Sequence, residues 1–427
     1  MKVAIVGAGW AGCAAAVEAT RLGHQATLFE ASRTAGGRAR RVAAMISGQP
    51  VALDNGQHIL IGAYSETLRL MNDLGVDVDA SLLRLPLTLR FPDGSGLKLP
   101  QLSAHIPAPL DAFTGILTAR GWSWADKLSL LKVALDWQLK RFQCGPGQSV
   151  TDLCKGLTPG AMASLIEPLC VSALNTPAQR ASGQVFLRVM RDALFSASGG
   201  SNLLLPCVDL SALLPDAALA WIAGQGSPAH LGARVQSIAP VTSGWAVTTD
   251  TSAAFDCVVL ACSPHEAARL VGGSGVAAKA WLAQARGLQF EALTTVYVHA
   301  AHQHLNHPML ALHASATEPA QFVFDREQLG GPAGLLAFVI SASVGDSATL
   351  TQQVLAQAAR QLGLNPLEPV QTIVEKRATF ACTPGLQRPA PEVAAGLLAC
   401  GDYIAGPYPA TLEGAVRSGL AAARRLH

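Results

Sequence analysis

The sequence predicts an α/β protein whose dinucleotide-binding domain is assembled from separated stretches of chain, with an α+β domain inserted into it. Three observations predict this. A buried strand at the N-terminus runs through Gly7-Ala8-Gly9-Trp10-Ala11-Gly12 into a helix. A second short apolar strand near the C-terminus, Leu397 to Cys400, runs through Gly401-Asp402 towards another helix. Between them lies apolar strand sequence from Phe255 to Ala261, followed by Ser263-Pro264, a helix start. The expected partition is 1–80, 200–275 and 385–427 for the dinucleotide domain, and 81–199 and 276–384 for a substrate domain. A chain of 427 residues is long enough for two such cores.

Val3 to Val6 reads as a strand buried on both faces, as a parallel sheet requires. The GxGxxG that follows opens a helix over Cys13 to Leu22, and a second strand, Ala26 to Phe29, ends at Glu30-Ala31. This is the Rossmann-type arrangement. Gly7 makes the tight turn, Gly9 lets backbone approach a pyrophosphate, and Gly12 lets helix pack closely on strand. The helix start offers free N–H groups and partial positive charge to phosphates. Glu30, eighteen residues past Gly12, suits a ribose hydroxyl.

Composition narrows the function. Half the residues are hydrophobic and 14% are charged, against a usual ~25%. Such a chain has large buried surfaces, an apolar ligand, or an alanine-rich background. A net charge of +2 without a basic stripe argues against nucleic acid. The nine cysteines are scattered, odd in number and without a CxxC pair. That argues against a disulfide framework or a metal site, and for a reducing cytoplasm. Met1-Lys2 leads directly into the first strand, unlike a signal peptide. No run long enough to span a bilayer stays free of charges and prolines.

Gly36-Gly37-Arg38 follows Glu30 by six residues. That spacing resembles the large flavoprotein superfamily that includes amine oxidases and phytoene desaturases. The resemblance implies non-covalent FAD, with Arg38 meeting its phosphate or sugar. It also implies that Gly401-Asp402 holds the ribityl–phosphate region and that the helix start at Leu412-Glu413 points at the flavin ring. Ala233 to Ile238 resembles the strand beside the adenine, where Val235 would touch FAD through its backbone. Asp54-Asn55-Gly56-Gln57-His58 matches the turn that passes the isoalloxazine. Glu413 has a second reading, first-turn matching of its own helix dipole.

The inserted stretches hold a hairpin pattern over Leu85 to Leu99, then a helix from Trp124 to Phe142. Trp124, Leu128, Leu131, Leu135 and Leu139 recur there at helical spacing, beside Lys127, Lys132, Lys140 and Arg141. This helix either packs on the core with a solvated face or rests on a membrane surface. Strands are expected at Thr294 to Ala300, Gln321 to Asp325 and Leu335 to Ser341, then a helix near Leu350 to Leu362.

The segments Glu167 to Pro177, Gln184 to Phe195, Gly200 to Pro206 and Leu210 to Pro215, with Asp54 to His58, closely resemble the hydroxysqualene dehydroxylase family of bacterial hopanoid synthesis, also called squalene-associated FAD-dependent desaturases. The resemblance spans essentially the whole chain. It implies that reduced FAD converts hydroxysqualene, an apolar C30 isoprenoid, to squalene with loss of water. An apolar C30 substrate does not diffuse freely through water, so peripheral association with the inner face of the plasma membrane, or hand-over from the preceding synthase, is expected. Candidate proton donors are His58, Glu167 and Asp192; Asp192 has a plainer role as partner of Arg188 four residues earlier. A carotenoid desaturase, an amine oxidase with Tyr403 and Tyr408 in an aromatic cage, and a non-catalytic lipid-binding flavoprotein remain open.

Overall fold

The computed structural model describes residues 1–46, 48–99, 110–195, 199–301 and 303–426. Its main sheet has six strands in the order Ala229–Leu231, Gln25–Glu30, Lys2–Val6, Cys257–Leu260, Leu397–Ala399, Glu392–Ala394. The first five are parallel and the last is antiparallel. Ile5 pairs with Leu28 on one side and Val259 on the other. The β-branched and leucine runs are therefore buried on both faces, as a central parallel strand demands. The first helix, Trp10–Arg21, packs against the C-terminal helix, Leu412–Ala423. That contact is close because both helices are small-sided: a Cβ on Gly419 would collide with the Ala11 carbonyl.

A second sheet of five antiparallel strands has the order Met309–Ala311, Phe322–Asp325, Leu335–Ser341, Phe290–His299, Glu368–Phe380. The thirteen-residue strand Glu368–Phe380 has no counterpart in the expected elements. Helices Glu167–Leu174 and Gly183–Leu194 pack with this sheet in one apolar core. A three-stranded sheet pairs Leu203–Pro206 with both Leu60–Ile61 and Leu82–Leu85. It joins stretches from both sides of the expected 80/81 and 199/200 boundaries.

Three expectations change. The stretch Phe255 to Ala261 is not one strand: Ser252–Phe255 and Cys257–Leu260 belong to different sheets. Asp256 turns between them, held by Lys2 through both its carboxylate and its N–H. Residues 233–236 are irregular, and the strand begins at Ser237. In the Trp124–Leu139 helix, Leu130, Val133, Ala134 and Trp137 are the buried side. Trp124, Leu128, Leu135 and Leu139 face solvent instead. Among the described residues no helix is long and apolar enough to cross a membrane.

Candidate functional site

One cavity of about 730 Å³ lies where the carboxyl ends of the parallel strands meet the five-stranded sheet. This is the crevice in which open α/β sheets take ligands. Part of its wall is the dinucleotide motif: Gly7, Gly9, Trp10, Ala11, Glu30, Ala31, Gly36, Gly37 and Arg38, with Val235, Asp402 and Leu412. Another part is apolar, from Leu169, Val171 and Ala173 on one helix, Val189, Met190 and Leu194 on the next, and Phe322, Phe324 and Val339 of the second sheet.

The motif residues fit a dinucleotide. The first helix, capped at Gly9, has no side-chain cap and no acid in its first turn, so its N–H groups and positive end suit an anion. Gly37 has φ +61°, and a Cβ there would lie 3.2 Å from the Gly9 Cα. The two glycine loops thus meet closely, and a side chain on Gly37 would crowd the Gly9 backbone. Glu30 accepts from Ala8 N–H at 2.7 Å and Ser32 N–H at 2.8 Å, which pins its carboxylate at the cavity wall with lone pairs to spare. Two buried donors in the wall, Gln57 Nε2 and the Tyr403 hydroxyl, have no protein partner among the described residues. Buried donors are rarely left so, and a polar cofactor would satisfy them.

Arg38 donates to the Ala378 carbonyl and to Asp402, each at 2.6 Å. It therefore clamps the Gly-Gly-Arg loop to the C-terminal Gly-Asp motif, 364 residues away. Asn55 donates to the Arg38 carbonyl at 3.0 Å and to Glu375 at 3.1 Å, bracing the same corner from behind. Six residues expected at the cofactor do not line the cavity: Ala8, Gly12, Asn55, Gly56, Gly401 and Glu413. Gly12 serves close packing, since a Cβ there would run into the Gly7 carbonyl. Gly401 donates its N–H to Ser418 of the C-terminal helix. Glu413 is fully buried and turns away from the cavity to the start of helix Ser65–Asp73, where it takes the N–H groups of Glu66 and Thr67.

The three candidate donors stand in different surroundings. His58 lines the cavity, and its Nδ1 is 3.0 Å from the Gly56 carbonyl. A carbonyl only accepts, so Nδ1 carries the hydrogen and neutral His58 keeps Nε2 as an acceptor. Burial, aided by the Arg38 charge and opposed by the Gly56 bond, lowers its pKa from the usual imidazole value. Asp192 also lines the cavity, with Arg188 at 2.8 Å and Arg191 at 2.9 Å. Burial works to raise its pKa, yet hydrogen bonds from Arg188, Arg191 and Tyr408 hold it below the usual carboxylate value. It is ionised at neutral pH. Glu167 does not line the cavity; its carboxylate accepts from Gln179 at 2.9 Å and Ala178 N–H at 3.4 Å, tying down the loop after its own helix.

The sequence reading missed Tyr64, in the cavity wall, and Arg326, which does not line the cavity. Tyr64 lines the cavity beside Thr411, and nothing in its sequence context marks it. Arg326 is buried; it donates to Gln57 Oε1 at 3.3 Å and lies 3.9 Å from Asp54. It orients the Gln57 amide from 269 residues away. Tyr408 is no open cage wall, because the guanidinium groups of Arg417 and Arg188 sit 5.0 and 5.7 Å from its ring.

A family model described as flavin containing amine oxidoreductase matches residues 10–427. A curated hydroxysqualene dehydroxylase of Rhodopseudomonas palustris is 25% identical over 99% of this chain and 97% of its own length. A curated probable zeta-carotene desaturase of Synechococcus elongatus is 26% identical over 58% of this chain and 54% of its own. Among solved structures, an oxidoreductase from Methanosarcina mazei covers 99% of both chains with a TM-score of 0.73 at 17% identity, a likeness of fold.

Proposed function

The chain belongs to the flavin-containing amine oxidoreductase family, and from that premise we propose that it reduces hydroxysqualene to squalene with loss of water, as a step of hopanoid synthesis. It is a flavin-dependent oxidoreductase with FAD as its cofactor. The observation that carries the finer reading is end-to-end likeness to curated relatives of that name. The apolar wall beside the dinucleotide motif supports it, since an isoprenoid chain needs such a wall and offers it no charge.

Non-covalently bound FAD supplies hydride chemistry at a carbon whose C–O bond is breaking. The first helix and Gly9 would take its pyrophosphate, Glu30 a ribose, and Val235 the adenine edge. Arg38, Asp402 and the Gln57 amide would take the middle of the cofactor. Leu169, Val189, Phe322 and Phe324 exclude water from the reacting carbon. Ionised Asp192 offers negative charge to a developing carbocation. His58, once protonated, gives its Nε2 proton to the leaving hydroxyl, which departs as water. The substrate is handed over by the preceding synthase at the cytoplasmic face of the plasma membrane.

A carotenoid-type desaturase is the second reading, favoured by the likeness to zeta-carotene desaturases. An amine oxidase is disfavoured, because Tyr408 already faces two cations. The test is anaerobic. The flavin is reduced and hydroxysqualene is added. Flavin reoxidation with squalene in the extract supports the proposal. Flavin that stays reduced, while oxidised enzyme bleaches with a carotene precursor, replaces it with the desaturase.

A further inference from the structure

The Trp124–Leu139 helix is apolar on two sides, which a core-packed helix has no need to be. Its inner side is the buried set described above. On its outer side Trp124 is 69% exposed, Leu128 61%, Leu135 51% and Leu139 84%. These four lie in one stripe along sixteen residues, about 24 Å of helix at 1.5 Å per residue. Leu117, 45% exposed, lies on the preceding helix and is tied to this one by Lys127, which donates to the Leu117 carbonyl. A continuous exposed apolar patch marks a surface that something covers.

The charges beside the stripe say what covers it. Lys127 and Lys132 flank it on opposite sides, and Lys140 and Arg141 stand at its end. The two acids of the helix are engaged: Asp126 closes the capping box with Ser123, and Asp136 pairs with Lys140. Aromatic and leucine side chains between basic residues suit the boundary between acyl chains and anionic headgroups. The same pattern opposes self-association through this face, because a two-fold contact would set like charges against each other.

We propose that the Trp124–Leu139 helix is the docking surface by which the protein sits on an anionic lipid bilayer. The stripe lies in the outer acyl region, Trp124 sits at headgroup level, and the exposed Lys132 and Arg141 bind lipid phosphates. This names the surface for the membrane contact in the proposed function and rests on that part of it; it is tested without any substrate, so it and the proposed reaction can fail separately.

The experiment uses the full FAD-loaded chain. It is sedimented with vesicles of phosphatidylcholine alone and of phosphatidylcholine with phosphatidylglycerol. The wild type should bind the anionic vesicles more tightly and lose binding in high salt. The double substitution Leu128→Glu and Leu135→Glu, at solvent-facing positions, should weaken binding by at least about tenfold with unchanged flavin absorbance and melting temperature. Vesicles should shift the tryptophan emission of the wild type to the blue, and Trp124→Phe should remove most of that shift. Binding unaltered by the double substitution, or no binding to anionic vesicles, overturns the proposal. A dimer in light scattering that the double variant splits, with no vesicle binding, reassigns the face to self-association.

Discussion

Thr67 donates both its backbone N–H, at 2.9 Å, and its hydroxyl, at 2.7 Å, to a single carboxylate oxygen of Glu413. The other oxygen takes Glu66 N–H at 3.1 Å and Arg417 at 2.6 Å. One buried carboxylate of the C-terminal helix thereby caps a helix 346 residues earlier. This is a structural task, so Glu413→Ala should cost roughly 2–4 kcal/mol, because it leaves the N–H groups of Glu66 and Thr67 and the Thr67 hydroxyl without their acceptor. Glu413→Gln should cost less, since its oxygen still accepts from Thr67. Thermal unfolding of the three proteins checks this ranking. An alanine variant that keeps its melting temperature but loses FAD would return Glu413 to the cofactor.

His58 makes the reaction acid-dependent. Its pKa is lowered in the folded chain, so the imidazolium is scarce at pH 7 and grows as pH falls. If it is the general acid, turnover at saturating substrate rises towards acid, with an apparent pKa below about 6.5. His58→Gln should remove that limb, with flavin still bound. The same shift bears on stability with a defined sign. The unfolded chain binds this proton more readily, so stability falls as pH drops below about 6.5, and the glutamine variant should show a shallower fall. A pH profile of the variant parallel to wild type would remove His58 from the proton path.

How much of this was legible beforehand depends on whether the cause is local. The strand–GxGxxG–helix unit was, because Gly7, Gly9 and Gly12 act on neighbours a few residues away. So were the helix starts at Ser263-Pro264 and Thr411, which cap themselves. The bonds of Glu413 to Thr67 and Glu66 were not legible, because those partners lie 346 and 347 residues away. The strand Glu368–Phe380 was missed since its middle is only half-buried and carries no apolar alternation. In the Trp124–Leu139 helix, periodicity found a real stripe but could not say which of two apolar sides faces the core. Only packing of Leu130, Val133 and Trp137 into the neighbouring core decides that.

Gly37 offers a sharp test of the cofactor cradle. Gly37→Ala places a methyl 3.2 Å from the Gly9 Cα at φ +61°. Gly23 has a similar φ, +82°, yet nothing lies within 4 Å of its Cβ position. Both alanine variants bear the same left-handed backbone strain, about 1–2 kcal/mol. Only Gly37→Ala should lose most of its FAD, measured as the ratio of flavin to protein absorbance. Equal flavin content in the two variants would mean that the meeting of the loops does not shape the cofactor site.

Asp192 and Glu167 separate a charge that faces the cavity from one that does not. Asp192→Asn leaves the side-chain volume unchanged but removes the negative charge held by Arg188 and Arg191. If that charge stabilises a cationic carbon, single-turnover hydride transfer should slow by about 100-fold or more, the scale of losing one electrostatic partner at a reacting centre. Affinity for the neutral isoprenoid should change little, because the apolar wall supplies it. Glu167→Gln keeps the acceptor for Ala178 N–H and should leave turnover within about twofold, as surface-directed changes do. Rapid-reaction flavin absorbance measures both. A slow Glu167→Gln with a normal Asp192→Asn would reverse the assignment and move the proton path to the outer side of helix Glu167–Leu174.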